Sequence, residues 1–186
     1  MDLQDKRSLL SVAAQSLRYG LEHHQPLPVR AQDYAPALRK PRASFVTLTI
    51  DGALRGCIGS LEPIRPVIED VAYNAYSAGF RDPRFPPLQS VELARLHIHI
   101  SLLTIPEPLQ VSSEEELVHR LRPGVDGLIL QEGTRRGTFL PSVWDSLPTA
   151  REFLRHLKLK AGLPPDYWSD TLRFQRYTAE AVEAEN

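Results

Sequence analysis

Apolar positions recur at helical spacing early in the chain. Leu9, Leu10, Ala13, Ala14, Leu17 and Leu21 fall on one side of the Lys6–Glu22 segment, opposite arginines and glutamine. This spacing predicts an amphipathic first helix. The next stretch, HHQPLPVRAQDYAPALRKPR, resists regular structure, because each proline removes a backbone donor and pushes the preceding residue toward extended geometry. It is expected to cross the surface as irregular chain. From Ser44 the period changes to two. SFVTLTIDGALRGCIG is rich in β-branched residues and alternates about Asp51-Gly52, the signal of a two-residue hairpin turn. With that turn, Ile50 faces Ala53, Leu48 faces Arg55 and Val46 faces Cys57, which sets Arg55 and Cys57 on one face. A one-residue bulge would break this parity.

Beyond the hairpin, PIRPVIEDVAYNAYSAGF predicts a helix entered at Pro66, with Val67, Val71, Ala75 and Ala78 as its apolar stripe and Gly79 at its end. RDPRFPPLQS reads as turn and extended chain. From Arg95 the period returns to two, with Leu96, Ile98, Ile100 and Leu102 facing inward on a central strand. Ser112 or Ser113 caps a short helix that Pro123-Gly124 closes, with Glu115 or Glu116 as the reciprocal capping partner. DGLILQEGTRRGTFL predicts a second hairpin turning within Gly133–Gly137. A last helix follows Thr149, carries Phe153, Leu154, Leu157 and Ala161, and ends at Gly162; LRFQRYTAEAV is a final strand. Strands and helices mixed without regular alternation predict an α+β fold on antiparallel sheet.

At 186 residues the chain suits one domain of ordinary size, or one domain carrying a small second lobe. With 22 Lys+Arg against 23 Asp+Glu, the net charge of -1 gives no electrostatic case for nucleic acid or a membrane surface. A single cysteine forms no internal disulfide and builds no multi-cysteine zinc site. The opening MDLQDKRSLL has no apolar signal core, and no apolar run reaches the roughly twenty residues of a membrane span, so a cytoplasmic location is expected.

Six short motifs occur in one order: LRGCIGSLEP, DPRFPPL, ISLLTIPEPL, DGLIL, GTFLPSVW and LKLKAGL. In that series the chain resembles the AMMECR domain family, whose bacterial and archaeal members are called AmmeMemoRadiSam system protein A. The resemblance runs from about Phe45 to Trp168 and more loosely to both ends. It implies a two-lobed α+β fold in which both chain ends build the larger lobe around an antiparallel sheet. A smaller β-rich lobe would then be inserted within roughly residues 105–145. It also implies neighbours: a Memo-type protein resembling the extradiol dioxygenases, and a radical S-adenosylmethionine enzyme. It supplies no established reaction.

The chemistry is therefore read from residues. Cys57 is nucleophilic only as thiolate, and Arg55 is a candidate cation to favour that form. Gly56 and Gly59 would leave backbone amides open to a ligand. Free cysteine is also among the most buried residue types, and glycine in a strand often marks a bulge or close packing. Asp82 and Arg84 of DPRF lie side by side in a turn, either as an ion pair pinning the loop or as a polar pair facing a ligand. The expectation is one cleft lined by Arg55, Gly56, Cys57, Gly59, Asp82 and Arg84, with Cys57 as candidate nucleophile. His97 and His99 alternate on one strand without a third ligand, so no metal is expected, and no cofactor is implied. Neither glycine-rich stretch has the ending of a phosphate loop, and no Ser-His-Asp arrangement surrounds Ser142. Three functions remain: a binding component for a small ligand or partner, an enzyme using Cys57 as nucleophile or transient ligand, and a disfavoured nucleic-acid role. The binding reading needs neither triad nor metal.

Overall fold

The first helix, α1, spans Leu3–His23 in a computed structural model that describes residues 1–184. It starts before the apolar periodicity does, because the Asp2 side chain accepts from Asp5 N at 2.7 Å and satisfies an orphan donor. The other helices are α2 Val67–Phe80, α3 Glu114–Arg120 and α4 Ala150–Lys160. The strands are β1 Ser44–Ile50, β2 Ala53–Gly59, β3 Leu96–Leu103, β4 Glu107–Pro108, β5 Gly127–Glu132, β6 Arg135–Phe139, β7 Arg173–Tyr177 and β8 Ala179–Glu183. They form two four-stranded sheets, in the orders β2-β1-β3-β8 and β4-β7-β5-β6. The α+β class with antiparallel sheet pairing follows, as the mixed periodicities predicted.

The chain divides into two compact units. The first holds Met1–Leu103 and the segment from Glu180, and the second holds Thr104–Ala179. The second unit is longer than the 105–145 insertion expected, because its core needs later residues. Phe153, Leu154 and Leu157 of α4 and Phe174 of β7 are buried with Leu128, Leu130 and Trp144. Phe153 stacks on Trp144 at 3.9 Å between ring centroids. The expected single strand over Leu172–Val182 accordingly splits, with β7 in the second sheet and β8 in the first. The β5–β6 turn is also tighter than expected, involving only Gly133 and Thr134.

In the first unit, Leu9, Val12, Ala13 and Leu17 of α1 and Val67, Val71, Ala75 and Ala78 of α2 share a core with Val46, Leu48, Ile100 and Leu102. That face of the sheet is the one the alternation predicted. The segment expected to be irregular holds two short 3-10 turns, Ala31–Asp33 and Pro36–Arg39, which bury Ala31 and Leu38 respectively. A third, Ser90–Arg95, precedes β3. The start of β1 is pinned by Asp70, which accepts from Ser44 N, Ser44 Oγ and Asn74 Nδ2; burial raises its carboxyl pKa above the ordinary value. Among the described residues, no helix is long and apolar enough to cross a membrane.

Candidate functional site

β2 carries the LRGCIG motif and lies at the edge of its sheet. Ile50 pairs with Ala53 and Thr49 with Leu54, but Leu48 then pairs with Gly56, leaving Arg55 as an extra residue. This bulge corrects the parity expected from the turn: Cys57 faces Thr47 rather than Val46. The cause lies behind Gly56. A β-carbon there would sit 2.1 Å from the Ala78 carbonyl oxygen, so the strand reaches the backbone of α2 only through glycine. Gly59 is equally close-packed, with the Phe45 ring and the Ser44 carbonyl in the place of a side chain. In this geometry both glycines serve strand packing, and their α-carbons do not face open space.

The bulge puts Cys57 on the face away from the core, where it is half-buried. Its sulfur lies 3.1 Å from Thr47 Oγ1. This close side-chain approach matches a pair whose backbone groups turn away from each other. The Cys57 N–H indeed points outward from the sheet and donates to Asp82 Oδ2 at 2.9 Å, while Arg84 Nη2 donates to the Cys57 carbonyl at 3.4 Å. The two side chains thus occupy the positions that a neighbouring strand would fill. Asp82 and Arg84 close the open edge of β2 at Cys57.

The turn that supplies them is built as the sequence suggests. Asp82 O accepts from Phe85 N at 3.2 Å across Pro83 and Arg84, and Asp82 Oδ1 accepts from Arg84 N at 3.1 Å. The guanidinium of Arg84 then grips the same carboxylate through Nε at 3.0 Å and Nη2 at 2.7 Å. Asp82 is buried, and its hydrogen bonds from Arg84, reinforced by the Cys57 N–H, hold its carboxyl well below the usual carboxylate range. Asp82 in turn raises the pKa of the Arg84 guanidinium, with a smaller attraction from Cys57. Arg84 keeps 54% of its side chain exposed.

Arg55 is held separately. Its Nε and Nη2 donate to the Glu92 carboxylate at 2.7 and 3.0 Å, and Nη2 also donates to the Pro86 carbonyl at 3.0 Å. Arg55 holds the Glu92 carboxyl below its ordinary value, and Glu92 also accepts from Gln89 N, which starts the 3-10 turn before β3. Both guanidiniums lie near the Phe85 ring, Arg55 at 5.9 Å and Arg84 at 5.5 Å from its centroid. The structure therefore joins Cys57, Asp82 and Arg84 by direct hydrogen bonds and links Arg55 to them through Phe85. Sequence reasoning did not single out Thr47, Phe85 or Glu92. Phe85 had a signal as part of DPRF, and Thr47 would follow from the correct hairpin register. Glu92 had none, being 37 residues from Arg55.

The outer face continues past Thr47 to His99, its partner on β3, whose Nδ1 lies 3.3 Å from Glu183 Oε2. Among the described residues, no group of three or more His, Cys, Asp or Glu could hold a metal ion.

The AMMECR1 family model matches residues 10–182. A protein of Methanothermobacter thermautotrophicus is 40% identical over 180 residues, covering 94% of this chain and 91% of the relative. One from Methanocaldococcus jannaschii is 40% identical over 160 residues, covering 82% and 78%. The crystal structure of an uncharacterized protein from Pyrococcus horikoshii superposes with a TM-score of 0.86 at 34% identity, covering 93% of this chain and 88% of that one. The chain belongs to the AMMECR1 family.

Proposed function

We propose that this protein is a non-catalytic binding component that acts with a Memo-like and a radical S-adenosylmethionine protein. Its recognition surface is the β2 edge and the outer face of the sheet around Cys57. The observation that carries this reading is the internal pairing of the site's charges. Asp82 is neutralised by Arg84 and Glu92 by Arg55, and no carboxylate or imidazole hydrogen-bonds the Cys57 sulfur among the described residues. A nucleophilic thiol needs a base or an unspent cation beside it. A binding surface needs neither, and gains from parts already fixed before the ligand arrives. The resemblance in the six motifs supports the choice of partners.

A second reading, Cys57 as nucleophile, draws on the half-exposed sulfur and its attraction to Arg84. The two separate in one set of variants. Cys57→Ser keeps a polar group of similar size, so a recognition surface retains its affinity for the Memo-like protein of the same genome, measured by calorimetry. Arg84→Ala, which releases the edge, weakens it. Loss of binding in Cys57→Ser, with a covalent adduct on the wild-type thiol by intact-protein mass spectrometry, would establish the catalytic reading instead.

A further inference from the structure

The outer edge of β2 presents backbone groups that no neighbouring strand meets. Ser60 N donates to Ser44 O at 3.2 Å, which makes Phe45 and Gly59 a pair whose own N–H and C=O groups turn away from each other. Thr47 and Cys57, two residues along, form the same kind of pair. The groups facing outward are therefore, in order, the N–H and C=O of Cys57 and the N–H and C=O of Gly59. The first two are taken by Asp82 and Arg84. Among the described residues, those of Gly59 have no hydrogen-bond partner. One step of an open ladder remains beside the clamp.

Arg84 has donors to spare at that point. Its Nε and Nη2 hold Asp82, and Nη2 also reaches the Cys57 carbonyl. Nη1 lies on the side of the planar guanidinium away from Asp82 and donates to nothing among the described residues. These constraints select one orientation and one ending for an added strand. An antiparallel residue opposite Gly59 exchanges both hydrogen bonds with it, and its chain runs on toward Cys57. Two residues later, the N–H that would reach the Cys57 carbonyl finds that place held by Arg84 Nη2. The strand must stop one residue earlier, against a guanidinium. A parallel strand would bring an amino terminus to the same cation, whereas a terminal carboxylate meets the spare Nη1 in a charge-assisted hydrogen bond.

We propose that β2 receives the carboxyl-terminal end of a partner chain as an added antiparallel strand, its penultimate residue paired with Gly59 and its terminal carboxylate on Arg84. The proposal rests on the recognition reading of this edge and specifies what is recognised. The penultimate side chain falls on the outer face beside the half-buried Phe45 ring, which occupies the space next to the Gly59 α-carbon, so an apolar residue is favoured there. Backbone pairing supplies affinity, and the carboxylate sets the register.

The test uses an array of short random-sequence peptides, each made with a free carboxyl end and again as the terminal amide, probed with the full chain. The strongest binders are then measured by calorimetry. Binding is expected only with the free carboxyl end, weakened about tenfold or more by amidation, by N-methylation of the penultimate residue or by Arg84→Lys, which loses the guanidinium fork. Cys57→Ser should bind within about threefold of wild type. Thermal denaturation checks that each variant is folded. In amide exchange followed by NMR, a bound peptide should slow Gly59 and leave Cys57, already held by Asp82, little changed. No binding by any free-carboxyl peptide up to millimolar concentration would overturn the proposal. So would equal binding of acids and amides, or indifference to N-methylation or to Arg84→Lys. If the chain binds the Memo-like protein but no peptide, this inference falls while the recognition reading stands.

Discussion

Gly56 decides the register of the motif strand. With the Ala78 carbonyl 2.1 Å from where its β-carbon would be, Gly56→Ala forces either β2 or α2 to shift. The expected cost is about 3 kcal/mol, read as a lower urea midpoint, and an unchanged midpoint would contradict this packing. Cys57→Ser should be mild by comparison, at about 1 kcal/mol or less, since the hydroxyl can keep the contact with Thr47. The sequence made the special character of this strand legible through its glycines and its lone thiol. It did not show which glycine touches what. The bulge arises from the fit of Gly56 against a helix that begins at Val67, and no pattern within the hairpin reports that distant surface.

The hairpin and the Asp-Pro-Arg turn were readable because their signals are local. Asp51-Gly52 forms the turn expected, with both residues at positive φ, and Asp82 occupies the first position of a proline-bearing turn. Their meeting was not readable, since a strand edge and a loop after a helix are joined only by tertiary structure. The clamp has two measurable consequences. In Asp82→Asn the bidentate grip of Arg84 is lost, and the Cys57 amide should exchange with solvent about tenfold faster, a change of roughly 1.4 kcal/mol. Equal protection in both proteins would show that the edge is closed by other means. The second consequence is pH dependence. The Asp82 carboxyl is held below its unfolded value near 3.9, so its contribution is fully present above that value and is lost as pH falls through the lower folded one. The stability gap between wild type and Asp82→Asn should therefore be full above about pH 5 and close in more acidic solution. A gap that widened as the pH fell would have the wrong sign for this pairing.

For the whole molecule, two buried clusters underlie the two units, and the apolar spacing predicted about half of the first and, in the second, only the residues of the last helix. The extent of the second unit was less legible. α4 and β7 join it because Phe153 and Phe174 complete its core, a fact visible only once the strands are paired. Both tryptophans lie in that unit, so their fluorescence follows it directly. Phe153→Ala removes the ring stacked on Trp144 and should destabilise that unit by about 3–5 kcal/mol, seen as an earlier fluorescence transition in urea. An unshifted transition would contradict its place in the core. The near-neutral charge and the internally paired arginines agree with a protein that recognises a partner through shape and fixed polar groups. The most direct measurement is the dissociation constant of the Memo-like partner for wild type and Cys57→Ser, side by side. The recognition account predicts values equal within about two- to threefold. Binding abolished by the serine substitution, or no binding by the wild-type chain, would contradict it.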